Sequence, residues 1–315
     1  MKMILIVIKQ LLLILPVISL LFAACKKDSD NSIIPVPALE RVSSIHGLKG
    51  GLDDYKEEYH YSGGQLSDYY IYRHGKEGEW LNWLRYRYEY PSENQIIETR
   101  EGYADSIWFL ANKNEKTYHG GQLEEIIQYE FDMGSPGNWR PVKKISWEFT
   151  GDLPKERISW IYNNGWEESK RSEYEYTGSL WTGLLSYANN NGSWDSIGCM
   201  ALIYNGGHLT EVNVYECHQL QGWSQNEQYL LHYQGSSLTD MKIYCCSGDS
   251  LSWESTISVG YNSNGLVDKY IIDYDCCPTE ELLITYDEGW GNYRQATAGC
   301  SSYLHWPWFP AALKK

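Results

Sequence analysis

Phenylalanine is scarce in this 315-residue chain, with 5 Phe against 27 Tyr and 14 Trp. Its aromatic content is therefore mostly of the kind that carries a polar handle and suits half-exposed strands. Basic residues are short as well: 26 Lys and Arg against 41 Asp and Glu leave a formal charge of −15. A phosphate-binding surface needs clustered Lys and Arg, and none stands in the sequence, which argues against nucleic acid and against docking on anionic headgroups. None of the eight His forms a His-x-x-x-His pair, the spacing that places two imidazoles on one helix face around zinc. The acidic step Asp273-x-Asp275 lacks the loop a calcium site needs. No metal and no cofactor is expected. Cysteine, apart from Cys25, is missing from the whole first half of the chain.

What is present begins with an export signal. Lys2 and Lys9 flank an apolar run, Ile4 to Phe22, that ends in Ala23 and Ala24. Pro16 and Lys9 interrupt it, so it does not read as a spanning helix, which needs about 20 apolar residues. The stretch FAAC resembles a bacterial lipobox, which implies that Cys25 becomes the lipidated first residue of the mature protein. The KKDSD that follows resembles the tag that sends lipoproteins of some Gram-negative lineages to the outside of the outer membrane. Residues 1–24 are thus read as signal peptide, 25–38 as an extended tether, 39–290 as one repeat domain and 291–315 as a C-terminal cap. The expected partners are the membrane, through that anchor, and a surface glycan or protein; a monomer is expected.

The repeat has a beat of about 28 residues. Aromatic anchors before a Gly- or Asn-containing turn fall at Tyr61, Tyr90, Tyr118, Phe149, Tyr176, Tyr204, Tyr233, Tyr261 and Tyr286. Alternation along Trp80, Asn82, Leu84, Tyr86, Tyr88 and Tyr90 has the period of two that marks a half-buried strand. Turn segments such as SGGQ (62–65), HGGQ (119–122) and NGGH (205–208) supply the positive φ of hairpins. Each repeat is therefore one hairpin, and the chain an all-β antiparallel meander of roughly 18 strands that cannot stay flat. Spiral shell, sandwich and closed or open barrel all satisfy this pattern. A Trp stands ten residues before the anchor in pairs such as Trp80/Tyr90, Trp166/Tyr176 and Trp223/Tyr233. Even spacing puts both on one face, so two aromatic core rows are expected. Tyrosine-rich, Gly-punctuated hairpins in tandem resemble the YD or Rhs repeats, with Tyr274-Asp275 and Tyr286-Asp287 as partial matches to their signature. That resemblance implies a β-shell.

Gly248-Asp249-Ser250-Leu251 matches the block that names the GDSL esterases, yet it occupies the turn before Trp253, and no Asp lies three residues before any His. No catalytic residue is expected, and hydrolysis stays a remote alternative. Cys217, Cys246, Cys276 and Cys277 fall at similar places in successive units, and in an exported chain a disulfide between Cys246 and Cys276 or Cys277 is the favoured pairing. Free thiols are the alternative. Asp105-Ser106-Ile107, Asp195-Ser196-Ile197 and Asp249-Ser250-Leu251 resemble an O-glycosylation sequon, which implies modification at Ser106, Ser196 and Ser250. The off-phase aromatics Trp83, Trp160 and Trp181 are the expected ligand contacts. The expected function is a non-catalytic, lipid-anchored surface protein for adhesion, scaffolding or envelope interaction, with a glycan-binding module of an outer-membrane nutrient-uptake system as the alternative.

Overall fold

A computed structural model describes residues 41–287, except 133, 135–136, 219–221, 248–249 and 276. The lipidation site Cys25, the tether and the C-terminal cap lie outside the described residues. The strands are β1 (Arg41–Lys49), β2 (Leu52–Ser62), β3 (Gln65–His74), β4 (Trp80–Ser92), β5 (Gln95–Ala104), β6 (Ile107–His119), β7 (Gln122–Phe131), β8 (Trp139–Thr150) and β9 (Leu153–Tyr162). They continue as β10 (Trp166–Thr177), β11 (Leu180–Asn190), β12 (Ser193–Asn205), β13 (His208–His218), β14 (Gly222–Gln234), β15 (Ser237–Ser247), β16 (Ser250–Tyr261), β17 (Val267–Tyr274) and β18 (Glu280–Asp287). No helix occurs among the described residues.

Every strand pairs antiparallel with its neighbours in sequence, and β1 also pairs with β18, from Arg41 opposite Asp287 to Lys49 opposite Glu280. The 18-stranded meander thus closes into a barrel, which removes the two free edges an open sheet would expose. The turns from even to odd strands gather at one end and those from odd to even strands at the other. At the first end Gly63-Gly64 and Gly206-Gly207 hold φ between 57° and 84°. Two successive positive φ values make a two-residue turn whose twist matches the strands it joins.

The anchor tyrosines face inward at this same end. Tyr90 Oη donates to the Leu66 carbonyl and Tyr233 Oη to the Leu209 carbonyl, each at 2.8 Å, and Tyr61, Tyr176, Tyr261 and Tyr286 make the same bond to the start of the preceding strand. A Phe cannot form it, which gives the Tyr-for-Phe bias a structural cause. Inside, two hydrophobic clusters run along the wall, one through Tyr59, Leu66, Ile96, Leu123 and Ile145, the other through Leu184, Leu209, Leu231, Leu238 and Ile257. Side chains crowd on the concave face of a closed sheet and splay apart on the convex one, so this buried face is the inner one.

The expectation that Trp and Tyr share a face fails. From β1 to β16, where an odd strand pairs with the next even strand, the even strand carries one extra residue: Ile71 faces Leu84 while Tyr72 faces Asn82, leaving Trp83 over. Ala111, Val142, Ser169, Ile197, Asn226 and Glu254 are the extra residues of later units. A bulge puts two residues opposite one and reverses the alternation beyond it. The Tyr anchors therefore point in and the Trp rings point out.

Candidate functional site

The inner face is sealed at one end and open at the other. Leu66 and Leu238, beside the even-to-odd turns, have 0% exposure, whereas Phe109 and Ile161, on the same face near the odd-to-even turns, are 43% and 54% exposed. The barrel is a cup. β1 begins at its closed end and β18 finishes there, so both chain directions leave the described domain on the side away from the mouth.

Around the mouth, on the outside, stands the Trp row. Trp80, Trp139 and Trp166 meet His74, Phe131 and Tyr162 from the preceding strand edge-on, with centroids 5.2–5.3 Å apart, and Tyr103 meets Trp108 at 4.9 Å. Cations stack on five of these rings: Lys56 on Trp80, Arg85 on Trp108, Lys113 on Trp139, Lys144 on Trp166 and Arg171 on Trp194, at 4.7–5.7 Å. Each cation stands five residues before a Tyr or Phe anchor. In the following units that position is held by Cys199, Gln228, Thr256 and Glu281. The cations are already neutralised. Lys56 pairs with Glu58 at 2.7 Å, Lys113 with Glu115 at 2.6 Å and Arg171 with Glu156 at 3.0 Å, while Tyr72 and Tyr129 donate to Glu58 and Glu115. Burial and the neighbouring Glu58 or Glu115 carboxylate raise the Tyr72 and Tyr129 phenols to about 12, so they stay donors.

Beyond the cation row the rim changes. Among the described residues no cation is stacked on Trp223 or Trp253, and Trp166, Trp223 and Trp253 are 36%, 47% and 39% exposed. Trp253 Nε1 is held by Thr256 Oγ1 at 3.1 Å. Trp223 and Trp253 offer bare faces at the mouth of the cup.

The inner wall carries a second polar region. Arg157 on β9 is 6% exposed; its Nη2 lies 3.3 Å from Ser172 Oγ on β10, which lies 3.3 Å from Ser186 Oγ on β11. Its Nε and Nη1 are buried without a partner. Lys143 and Lys170 share this face. Burial, then Arg157 and Lys170, push the Lys143 ammonium down to about 8, and burial with Arg157 lowers Lys170. A cavity of about 200 Å³ opens beside Arg157, Lys170, Ser172, Ser186 and Gly198, with Glu216 on its far side. Elsewhere in the lumen Lys116 and Glu98 form a fully buried ion pair at 3.0 Å.

The residues singled out from the sequence are scattered. Trp181 is buried in the core, its Nε1 donating to the Gly183 carbonyl at 2.7 Å, so it is no ligand contact. Trp160 faces out beneath Lys144 at 4.2 Å, and Trp83, the bulge residue, lies under Arg73 at 3.3 Å. Ser106, Ser196 and Ser250 are exposed near the open end. Ser106 sits in a turn with φ 65°, and Ser250 has no part of a catalytic constellation around it among the described residues. Cys217 is a free thiol rather than a disulfide partner, as are Cys199 and Cys245; Cys217 instead lies opposite Trp223 on β14. Cys246 ends up near the rim on β15, while Cys276 lies outside the described residues. No cluster of metal-binding side chains occurs among the described residues. Arg157, Lys143 and Lys170 were not legible as a group: in β9 the apolar alternation Ile158, Trp160, Tyr162 looks like the core face and lies outside.

No protein family and no curated protein matches the chain. Among solved structures, a Bacteroides fragilis protein of unknown function is similar at 14% identity and TM-score 0.35, covering 40% of this chain and 93% of its own. A porin-like protein from Bacteroides vulgatus is similar at 10% identity and TM-score 0.34, over 78% of this chain and 98% of its own. The TcdB2-TccC3-TEV structure is similar at 11% identity and TM-score 0.27, over 80% of this chain and 16% of its own.

Proposed function

We propose that the protein is a non-catalytic, lipid-anchored binding protein of the bacterial outer surface whose Trp rim engages a surface glycan. The exposed rings of Trp166, Trp223 and Trp253 at one end of the barrel carry this reading, and those of Trp223 and Trp253 have no cation stacked on them among the described residues. Trp223 and Trp253 stand two strands apart, about 10 Å at 4.8 Å per strand, so one extended saccharide can lie across both. The ring faces supply apolar contact to sugar C–H groups. The neutralised cations of the wall leave ring contact, rather than charge, as the source of affinity.

Geometry also supports the orientation. An anchor at Cys25 tethers the chain ahead of β1, hence from the closed end, and turns the mouth and its Trp rim away from the membrane. The outer wall itself does not suit hydrocarbon: Lys56, Arg85, Lys113 and Lys144 stand on it together with their acids, and each cation facing lipid at the bilayer midplane costs about 2–4 kcal/mol.

The test is binding of the full mature protein, in detergent micelles, to an array of neutral and acidic glycans. Saturable binding is expected, weakened at least about tenfold in a Trp166→Ala/Trp223→Ala/Trp253→Ala variant with an unchanged circular dichroism spectrum. Absence of binding to every glycan, or equal binding by that variant, rejects the reading.

A further inference from the structure

Three cations line one stretch of the inner wall, and no carboxylate pairs with them. Arg157, Lys143 and Lys170 come from β9, β8 and β10, and none of them makes an ion pair among the described residues, although outside the same strands Lys144 and Arg171 do. A buried charge without a partner is strongly disfavoured. Arg157 is more than nine-tenths buried, with two of its three guanidinium nitrogens unsatisfied. Its remaining nitrogen reaches Ser172, which passes the hydrogen bond on to Ser186.

Space is present where these donors point. Gly198 lies opposite Ser186 in the β11–β12 register, and with no side chain there the wall is hollowed into the cavity of about 200 Å³. That is many times the 10–15 Å³ or so that one water needs, and it suits a small molecule rather than a chain. The one carboxylate on the lining, Glu216, is engaged by Asn226 Nδ2 at 3.3 Å.

We propose that the cavity is a binding site for a small oxyanion, the carboxylate of a sugar acid or the phosphate or sulfate of an ester, held by the Arg157 guanidinium with Lys170 and the hydroxyls of Ser172 and Ser186, while Lys143 adds positive charge from beside the lining. Guanidinium and ammonium groups bind such oxygens by charge-assisted hydrogen bonds, and the planar fork of Arg orients them. The ligand supplies the negative charge and the acceptors that the wall lacks. The site is independent of the glycan surface on the outer rim.

Isothermal titration of the full mature protein with inorganic phosphate, sulfate, glucuronate and uncharged glucose, at constant ionic strength, tests the proposal. At least one oxyanion is expected to bind saturably at one per chain, and glucose is not. The strongest of the three identifies the source. Arg157→Gln and, separately, Lys170→Met should each weaken binding at least about tenfold, while the rim variant lacking Trp166, Trp223 and Trp253 should bind as before. Lys170 is only half-buried, so its variant keeps the test open should Arg157→Gln fail to fold. A crystal soaked in selenate should show anomalous density within hydrogen-bond distance of Arg157. No saturable binding by any oxyanion, or unchanged binding in Lys170→Met, overturns the proposal.

Discussion

Trp80 and Tyr90 stand ten residues apart on one strand and point to opposite sides of the barrel wall. The single residue Trp83, left unpaired between Asn82 and Leu84, separates them. The same device recurs around the barrel and sorts the two aromatic types, Tyr to the lumen and Trp to the outer rim.

The bulge residue should be indispensable where its side chain is not. Ala111 is the extra residue of β6. Deleting it restores simple alternation and turns Trp108 inward against the core while displacing Phe109. A loss of at least about 3 kcal/mol is expected, from overpacking and broken cation stacking together. Trp108→Ala should cost clearly less. Urea unfolding of both variants measures the difference; equal losses would remove the bulge as the sorting device.

The tyrosine hydroxyl at the closed end has a separate role from its ring. Tyr233→Phe and Tyr261→Phe each delete the bond to the Leu209 or Leu238 carbonyl. Each is expected to cost about 1 kcal/mol with no change in the circular dichroism spectrum. Unfolding midpoints of the single and double variants check it, and because Leu238 stands opposite Tyr233 in the strand register, the double variant reads the coupling between the two bonds.

Much of this was readable in the letters, and the reason the rest was not is specific. Anchor spacing and paired glycines such as Gly63-Gly64 are local requirements of a hairpin, so they mark strand number and turn position directly. Barrel closure depends on Arg41 meeting Asp287 across the whole chain, and no local letter records that. A bulge adds a residue without demanding a type: Trp83, Ala111, Val142 and Ser169 fill the same role. Parity is lost there silently. Hence Trp166 and Tyr176 read as core neighbours although they lie on opposite faces.

Glu57 couples stability to pH. Burial raises its carboxyl from 4.5 to about 7, against the pull of the Tyr59 hydroxyl that donates to it. Between those values the folded protein holds the proton that the unfolded chain has released, so stability falls as pH rises from about 4.5 through 7. Glu57→Gln should remove that slope, gaining up to about 3 kcal/mol at pH 8 and nothing at pH 4. Denaturation at both pH values decides; a gain at pH 4 as large as at pH 8 would contradict the cause.

Lys143 has the opposite sign. Burial, then Arg157 and Lys170, lower its ammonium from 10.5 to about 8. Between pH 8 and 10.5 the unfolded chain binds more protons, so stability rises with pH there. Loss of the same proton removes one positive charge from beside the lumen site, and oxyanion affinity should fall as pH passes about 8. Lys143→Met should flatten both dependences and stabilise the ligand-free protein at pH 7 by about 1–3 kcal/mol. Calorimetry across pH 6 to 10, with Gln128 and Ile161 as uncharged register neighbours of Lys143, reads the effect without a competing nearby acid.

Oxidative footprinting on intact cells tests most directly whether the cup stands mouth-outward with its Trp rim as the working surface. Trp166, Trp223 and Trp253 should be oxidised rapidly and be protected by a bound glycan, while Trp147 and Trp181, 4% and 5% exposed, stay unmodified until denaturation. Oxidation of Trp147 and Trp181 at the rate of the rim residues, or rim residues shielded on cells that lack the glycan, would contradict it.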